Sequence, residues 1–452
     1  MKMARRRQES LFAEHLHMNI TVSKEHELVR LSREIDWDAL IDRATEIREK
    51  KIKLATGPQP HYRELLGAVA LMAVKNLTYR DAEDLIAHYA PARFLCELTN
   101  TQWRIDHITI FEFTQMIGEQ GMAAINAEIL KIAVNQGLAD PSRLMSDTTA
   151  QEAKIPYPNE VGLMSRYGKL VSKNLKRAGR SLAGFKEKFK EVEKKIKSLV
   201  RNSHLFAKTK EAKVKVGKKL YHVVLDLHRE LQEAMNQCGN SAKNRARQEL
   251  EQLTAAMNRL LPQIKHFLDT GFVAPQKLIH LQMTELYSIV RGKAGKSVEF
   301  GLKWGISRIG GGFLQGFMIN GGEHHSDKRF CIDSINIHKE TFGMAPKVFG
   351  FDRGGYSRIN IKRARTLGVT HVGIAPKGKD AWAVSESMAE VIKCERAQVE
   401  GSIGTIKKPV YGFNKPDARS TAAMGTYGQR AIFGFNLRKL LRAQAKMSLA
   451  TS

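Results

Sequence analysis

The 452-residue chain is short of cysteine, of long apolar runs and of acid. Its four cysteines, Cys96, Cys238, Cys331 and Cys394, are too scattered to form a Cys-x-x-Cys pair. That spacing argues against a thiolate zinc site and a disulfide framework, and it suits a reducing cytoplasm. No run reaches the roughly 20 apolar residues that a bilayer-spanning helix needs, so no membrane partner is expected. Arg5-Arg6-Arg7 is followed by polar Gln8-Glu9-Ser10 and not by an apolar signal segment. Export is therefore not expected, and the arginines read as a DNA-touching arm or a solvated tail. The shortage of acid is the most telling: 46 Asp and Glu face 73 Lys and Arg, a formal charge of +27 with a pI near 9.9. Such a surplus suits a polyanionic partner, nucleic acid before an acidic membrane surface.

What is present is enough apolar sequence, 42%, for two or three packed domains. Residues 1–50 read as a basic arm and short helices, with Asp36-Trp37-Asp38 opening one of them. Residues 51–140 read as a helical domain. Leu65, Leu66, Val69, Ala70 and Met72 mark one helix, Thr78 with Asp81 a capping pair, and Ile108 to Ala133 a further helix. Short helices with tight turns suit a helix-turn-helix-like DNA-binding module, or equally a bundle that only packs against its neighbour. A strand begins at Arg143, carries Asp147, and is closed by Ile155-Pro156-Tyr157-Pro158.

Residues 165–285 read as a basic helical insertion; Ser165 to Thr270 holds 25 Lys and Arg against 10 acids. Leu182, Phe185, Phe189, Val192, Ile196 and Leu199 step by three and four, as do Leu250, Leu253, Met257, Leu260 and Ile264. Gly217 and Gly239 are expected to break the pattern into a helical hairpin or small bundle. Such a body could track DNA backbone or join two protomers, or its charge could serve solubility alone.

Strands return from Ser297 to Ile306 and Phe313 to Ile319, joined through Gly310-Gly311-Gly312. A helix from Asp333 to Thr341, a strand Lys347–Phe351 ending in Asp352, a helix Arg358–Leu367 and a strand Thr370–Ala375 follow. The last helical pattern starts near Ser385. On it Arg396, Glu400 and Lys407 share an arc of about 40°, at about 100° per residue. Ile392, Val399, Ile403 and Ile406 form the neighbouring apolar stripe.

This element order is that of an α/β, helix-rich, ribonuclease-H-like sheet carrying a large insertion after its first strand. In such a sheet the first and fourth strands adjoin, which would bring Asp147 and Asp352 together. Glu400 would arrive from the last helix. Three carboxylates in one place repel one another unless cations bind, and hard oxygen donors select Mg²⁺ or Mn²⁺. Two such ions suit in-line displacement at phosphorus, with Arg396, Lys407 and Arg353 as candidate phosphate clamps.

Other acids compete for the role. Glu395 is expected at the surface, Glu386 and Glu390 on the far side of the helix. Asp333 reads as a helix-start acid and Glu299 as a solvent-facing strand residue. His324-His325 reads as a polar loop, since two adjacent ligands rarely share one metal.

These residues resemble those of the DDE transposases of bacterial insertion sequences. Arg396, Glu400 and Lys407 match the last three members of a Tyr-x2-Arg-x3-Glu-x6-Lys pattern, and Lys393 stands where tyrosine is usual. Ser146-Asp147-Thr148-Thr149 resembles the segment of the first acid, and Phe351-Asp352-Arg353-Gly354-Gly355-Tyr356 that of the second. Tyr411 to Lys415 and Phe435 to Leu440 are similar to family endings. The resemblance covers roughly residues 60–165 and 290–445.

It implies a catalytic core at 141–164 and 286–452 with Asp147, Asp352 and Glu400 as metal ligands. It also implies a helical DNA-binding part, and a homodimer or higher multimer acting on double-stranded transposon ends and target DNA. Such an enzyme would be cytoplasmic and nucleoid-associated. The rivals are a domesticated DNA-binding protein that lacks catalysis, and a ribonuclease-H-like nuclease or resolvase without strand transfer.

Overall fold

The helices begin where side chains can satisfy their first backbone amides. Thr78 Oγ1 accepts from the Asp81 amide at 3.2 Å, and the Asp81 carboxylate accepts from the Thr78 amide at 3.3 Å, the reciprocal cap expected of that pair. Asp106 Oδ1 likewise accepts from the amides of Ile108 and Thr109. The computed structural model describes residues 22–51, 61–99, 104–177, 182–237, 245–290, 298–319, 326–378 and 380–451. Arg5-Arg6-Arg7, Cys238, Gly239 and His324-His325 lie outside the described residues.

Six helices come first: α1 (Glu27–Glu34), α2 (Trp37–Lys51), α3 (Tyr62–Lys75), α4 (Tyr79–His88), α5 (Ala90–Leu95) and α6 (His107–Asn135). The last is kinked at Gly118, whose φ of 67° is a left-handed conformation that favours glycine. Strand β1 (Asp140–Glu152) follows. Four helices come next, α7 (Glu160–Arg177), α8 (Ala183–Leu205), α9 (Lys210–Gln237) and α10 (Arg245–Thr270), then β2 (Tyr287–Val290), β3 (Val298–Gly310) and β4 (Leu314–Met318). The chain continues through α11 (Asp327–Phe342), β5 (Val348–Phe351), α12 (Arg358–Thr366), β6 (His371–Ile374), α13 (Glu386–Ile406) and α14 (Thr421–Thr451).

The fold is mixed α/β and helix-rich, with one six-stranded mixed sheet in the order β2-β3-β1-β5-β6 and β4 also paired to β3. Strands β1, β5 and β6 run parallel, whereas β3 pairs antiparallel with both β2 and β4. The chain divides into two compact units. The first takes the described residues up to Gln151, Lys303–Pro416 and those from Ala422 onward; the second takes Glu152–Leu302 and Asp417–Thr421.

Within the first unit, Phe433, Leu437 and Leu441 of α14 are buried in the same apolar core as α1 to α6. The close approach is paid in side-chain volume: a Cβ at Gly434 would stand 2.2 Å from the Ala73 carbonyl oxygen of α3. The C-terminal helix thus belongs to the core of the N-terminal helices. Nothing in its periodicity announces that partner.

The second unit is a bundle built on α7 to α10. Leu182, Phe185, Phe189 and Ile196 share its core with Leu250, Leu253, Met257, Leu260 and Ile264, the two seams expected from spacing. Gly217 does not break the pattern as expected. It is buried inside α9, where a Cβ would come within 2.9 Å of Leu268 Cδ2, so glycine there lets α10 approach. Strand β2 was not foreseen, since four residues of it carry too little alternation to stand out. Glu299 is half-buried opposite Ile289 and not solvent-facing. Among the described residues, no helix is long and apolar enough to cross a membrane.

Candidate functional site

The register of β1 and β5 sets the first two acids. Arg143 pairs with Val348, Leu144 with Phe349 and Met145 with Gly350, a constant offset of 205. The same offset carried two residues further sets Asp147, within β1 and past its last pairing with β5, against Asp352, directly after the carboxyl end of β5. Ligands of α/β sheets gather at the carboxyl ends of strands. Burial and the neighbouring Asp352 push the Asp147 carboxyl up to about 6, against the pull of the Thr148 amide and Arg396. Glu400 adds a smaller push in the same direction. The Asp352 carboxyl is also raised, by burial first and by Asp327 second. Arg396 and the amides of Gly354 and Gly355 oppose that rise. Asp352 caps the 3-10 turn Arg353–Gly355, accepting from the Gly354 amide at 2.9 Å, which fixes its direction.

Helix α13 is seated by two glycines. Gly350 and Gly373 face each other across β5 and β6. A Cβ at Gly373 would stand 2.2 Å from Ile392 Cδ1, and one at Gly350 would stand 2.9 Å from Ile392 Cγ2. Ile392 therefore sits in a notch that only glycine leaves open. Arg396 follows one turn later, its Cγ 3.5 Å from that same position over Gly350, and Glu400 one turn beyond. Gly373→Ala is expected to push Ile392 out and destabilise the chain by about 1–3 kcal/mol in urea unfolding. Gly401→Ala, with open space at its Cβ, is expected to be neutral or to stabilise α13 by up to about 1 kcal/mol.

The structure brings together Asp147, Asp352, Arg396 and the exposed Glu400. The Arg396 Nε is buried and has no hydrogen-bond partner, although its charge is felt by both aspartates. A buried guanidinium nitrogen beside two carboxylates thus leaves one donor unused. Lys407 is not in this group. It is half-buried at the C-cap of α13, about 10 Å past Glu400 along the axis at 1.5 Å per residue. Arg353 is exposed in the turn directly after Asp352. Among the described residues, no three His, Cys, Asp or Glu side chains form a ready-made metal cluster.

Two competing acids behave differently from the expectation. Glu395 is not a surface residue: it is half-buried and pairs with Arg143 Nη1 at 2.5 Å, tying α13 to β1. The acid that opens α11 is Asp327, six residues before Asp333, because the helix starts there. Asp333, half-buried, pairs with Arg329 at 2.7 Å.

Asp327 is the residue that sequence reasoning missed. Its Oδ1 accepts from Thr148 Oγ1 at 2.8 Å and meets Lys303 Nζ at 2.6 Å. A Cβ at Gly354 would stand 2.4 Å from its Oδ2, so glycine lets the Asp352 turn close over it. Asp327 thus links the segments that follow both sheet aspartates. The signal was Ser326-Asp327 ahead of apolar Phe330-Cys331, a helix start with an acid in its first turn. Lys393, where the pattern has tyrosine, pairs with Glu390 at 2.6 Å and lies over the Trp382 ring at 5.7 Å. Glu386 is exposed at the start of α13.

Compared with protein-family models, curated proteins and solved structures, the chain matches none.

Proposed function

We propose that the chain is a DNA transposase of the DDE kind with a ribonuclease-H-like core. In this reading it hydrolyses phosphodiester bonds at the ends of an insertion sequence and joins the freed 3′-hydroxyls to target DNA. The observation that carries the reading is Asp147 feeling the charges of Asp352, Arg396 and Glu400, the last two delivered by a glycine-seated helix. The order β4-β3-β1-β5-β6, with the last three strands parallel, supports the same core.

The donor set fits hard divalent cations: it is all oxygen, and the carboxyl pKa values of Asp147 and Asp352 are raised, that of Asp147 by burial and Asp352, that of Asp352 by burial and Asp327. Asp147, Asp352 and Glu400 would hold Mg²⁺ or Mn²⁺, and a pair of such ions supplies an activated hydroxyl and neutralises the departing oxygen. The residues do the rest. Arg396 would offer its guanidinium charge to a phosphate beside the two aspartates. Asp327 draws the Lys303 charge to the back of the site and holds Thr148, so the strand keeps Asp147 in place. Arg353 and Lys407 would grip phosphates further along the backbone. The partners are double-stranded ends and target, held by a homodimer or higher multimer, because two ends must be joined at once.

The test is incubation of the full chain with Mg²⁺ and duplex DNA carrying the inverted repeats that flank its coding region. Cleavage at the repeat ends followed by joining to a second duplex is the expected result. Cleavage without joining would support a nuclease or resolvase, and sequence-specific binding without cleavage a domesticated protein.

A further inference from the structure

The second unit contains a cavity of about 1040 Å³ between α7 and α10, far from neutral in its lining. Five cations face it, Lys173, Arg177, Arg245, Arg259 and Arg419, against the single acid Glu249. Glu249 is shared: Arg245 Nε approaches it at 3.2 Å and Arg177 Nη1 at 3.9 Å. Lys173, Arg259 and Arg419 have no carboxylate partner among the described residues, and all three are exposed. Charges left unneutralised around one concavity raise the local concentration of anions. Deeper in, Asn174 lines the same cavity, is 3% exposed, and its Oδ1 has no hydrogen-bond partner. A buried amide oxygen without a donor costs free energy unless a ligand or water supplies one.

The ligand that fits presents anionic oxygens to the rim and a hydrogen-bond donor to the floor. A nucleotide strand offers both, through its phosphates and its base amino groups. We propose that this cavity seats a segment of DNA strand, with Lys173, Arg259 and Arg419 neutralising its phosphates and Asn174 receiving a base or sugar donor. The proposal rests on the transposase reading only for taking DNA, and not RNA, as the strand. It makes the bundle a DNA-holding body in its own right, independent of divalent ions.

The experiment is fluorescence anisotropy of the full chain with a labelled DNA duplex, and with RNA of the same length, across a salt series in EDTA. Wild type is compared with the triple variant Lys173→Ala, Arg259→Ala, Arg419→Ala. A control triple, Lys188→Ala, Lys195→Ala, Lys219→Ala, removes equal charge from exposed positions that do not line the cavity. Losing three phosphate contacts is expected to flatten the slope of log K against log salt by about 2.7 and to weaken binding roughly tenfold or more. The control triple is expected to change both far less. Equal losses in the two triples, no loss in the cavity triple, or a loss confined to RNA of the same length would overturn the proposal. Thermal melts of both triples establish that the exposed substitutions leave the fold intact. Cleavage by wild type in Mg²⁺ reads the transposase assignment separately, so either can fail alone.

Discussion

Asp352→Asn and Glu400→Gln are each expected to lower Mg²⁺-dependent cleavage of end-bearing DNA by on the order of 10³-fold, leaving binding of that DNA in EDTA unchanged. The reason is positional. Asp352 is held by the amides of Gly354 and Gly355, so its carboxylate points along the carboxyl end of β5 beside Asp147. An amide at this position keeps the cap's acceptor oxygen but removes the charge that a divalent ion requires. Glu400 lies on the exposed face of α13, so Gln there disturbs no packing. Glu395→Gln is the informative contrast. Its partner is Arg143, and its loss is expected to loosen α13 and lower stability before it touches chemistry. Single-turnover cleavage with the purified variants separates the cases. Cleavage that survives in both Asp352→Asn and Glu400→Gln would remove the carboxylate site from the reaction.

Asp147→Asn is expected to stabilise the metal-free protein at pH 7 by about 3 kcal/mol while abolishing Mg²⁺-dependent cleavage. The Asp147 carboxyl is raised from its ordinary 3.8 to about 6 by burial and by Asp352. The folded state therefore binds a proton that the unfolded state has lost between these two values. Below about pH 4 the residue costs nothing. As pH rises toward 6 the folded protein loses stability, and above 6 the full penalty is present. Urea unfolding in EDTA at pH 5 and pH 7.5 reads this directly: the gap between Asp147→Asn and wild type is expected to widen with pH. Adding Mg²⁺ at pH 7.5 is expected to close the gap by stabilising wild type, because a ligand that binds only the folded state adds to its stability. A pH-independent gap would mean that Asp147 is not under the repulsion assigned to it.

Local chemistry was legible in the sequence. Thr78 with Asp81 made its cap, the two leucine-rich seams met in one bundle, and β5 ended at Phe351 just before Asp352, because each depends on residues only a few positions apart. Three of the departures share a cause. Glu395 and Gly217 were judged from their own elements and Asp327 was passed over, but what each does depends on a distant partner: Arg143, Leu268, and Thr148 with Lys303. A helical wheel assigns Glu395 to an edge without showing that β1 supplies a guanidinium to that edge. Likewise, a glycine in a basic helix reads as a break until its neighbour's side chain is seen to fill the missing Cβ.

The chain's positive surplus, its element types and the positions of Asp147, Asp352 and Glu400 on strand, strand end and helix were determined by sequence alone. They follow from composition, from periods of two and 3.6, and from capping, all of which act over short spans. Tertiary structure decided the rest: that an offset of 205 pairs β1 with β5, that Gly350 and Gly373 set the height of α13, that Asp327 joins the sheet aspartates, and that α14 completes the N-terminal core. Those outcomes depend on which volumes fit together and which charges meet across hundreds of residues. No short-range pattern encodes such contacts, because the close-packed interior selects them only once the whole chain has folded.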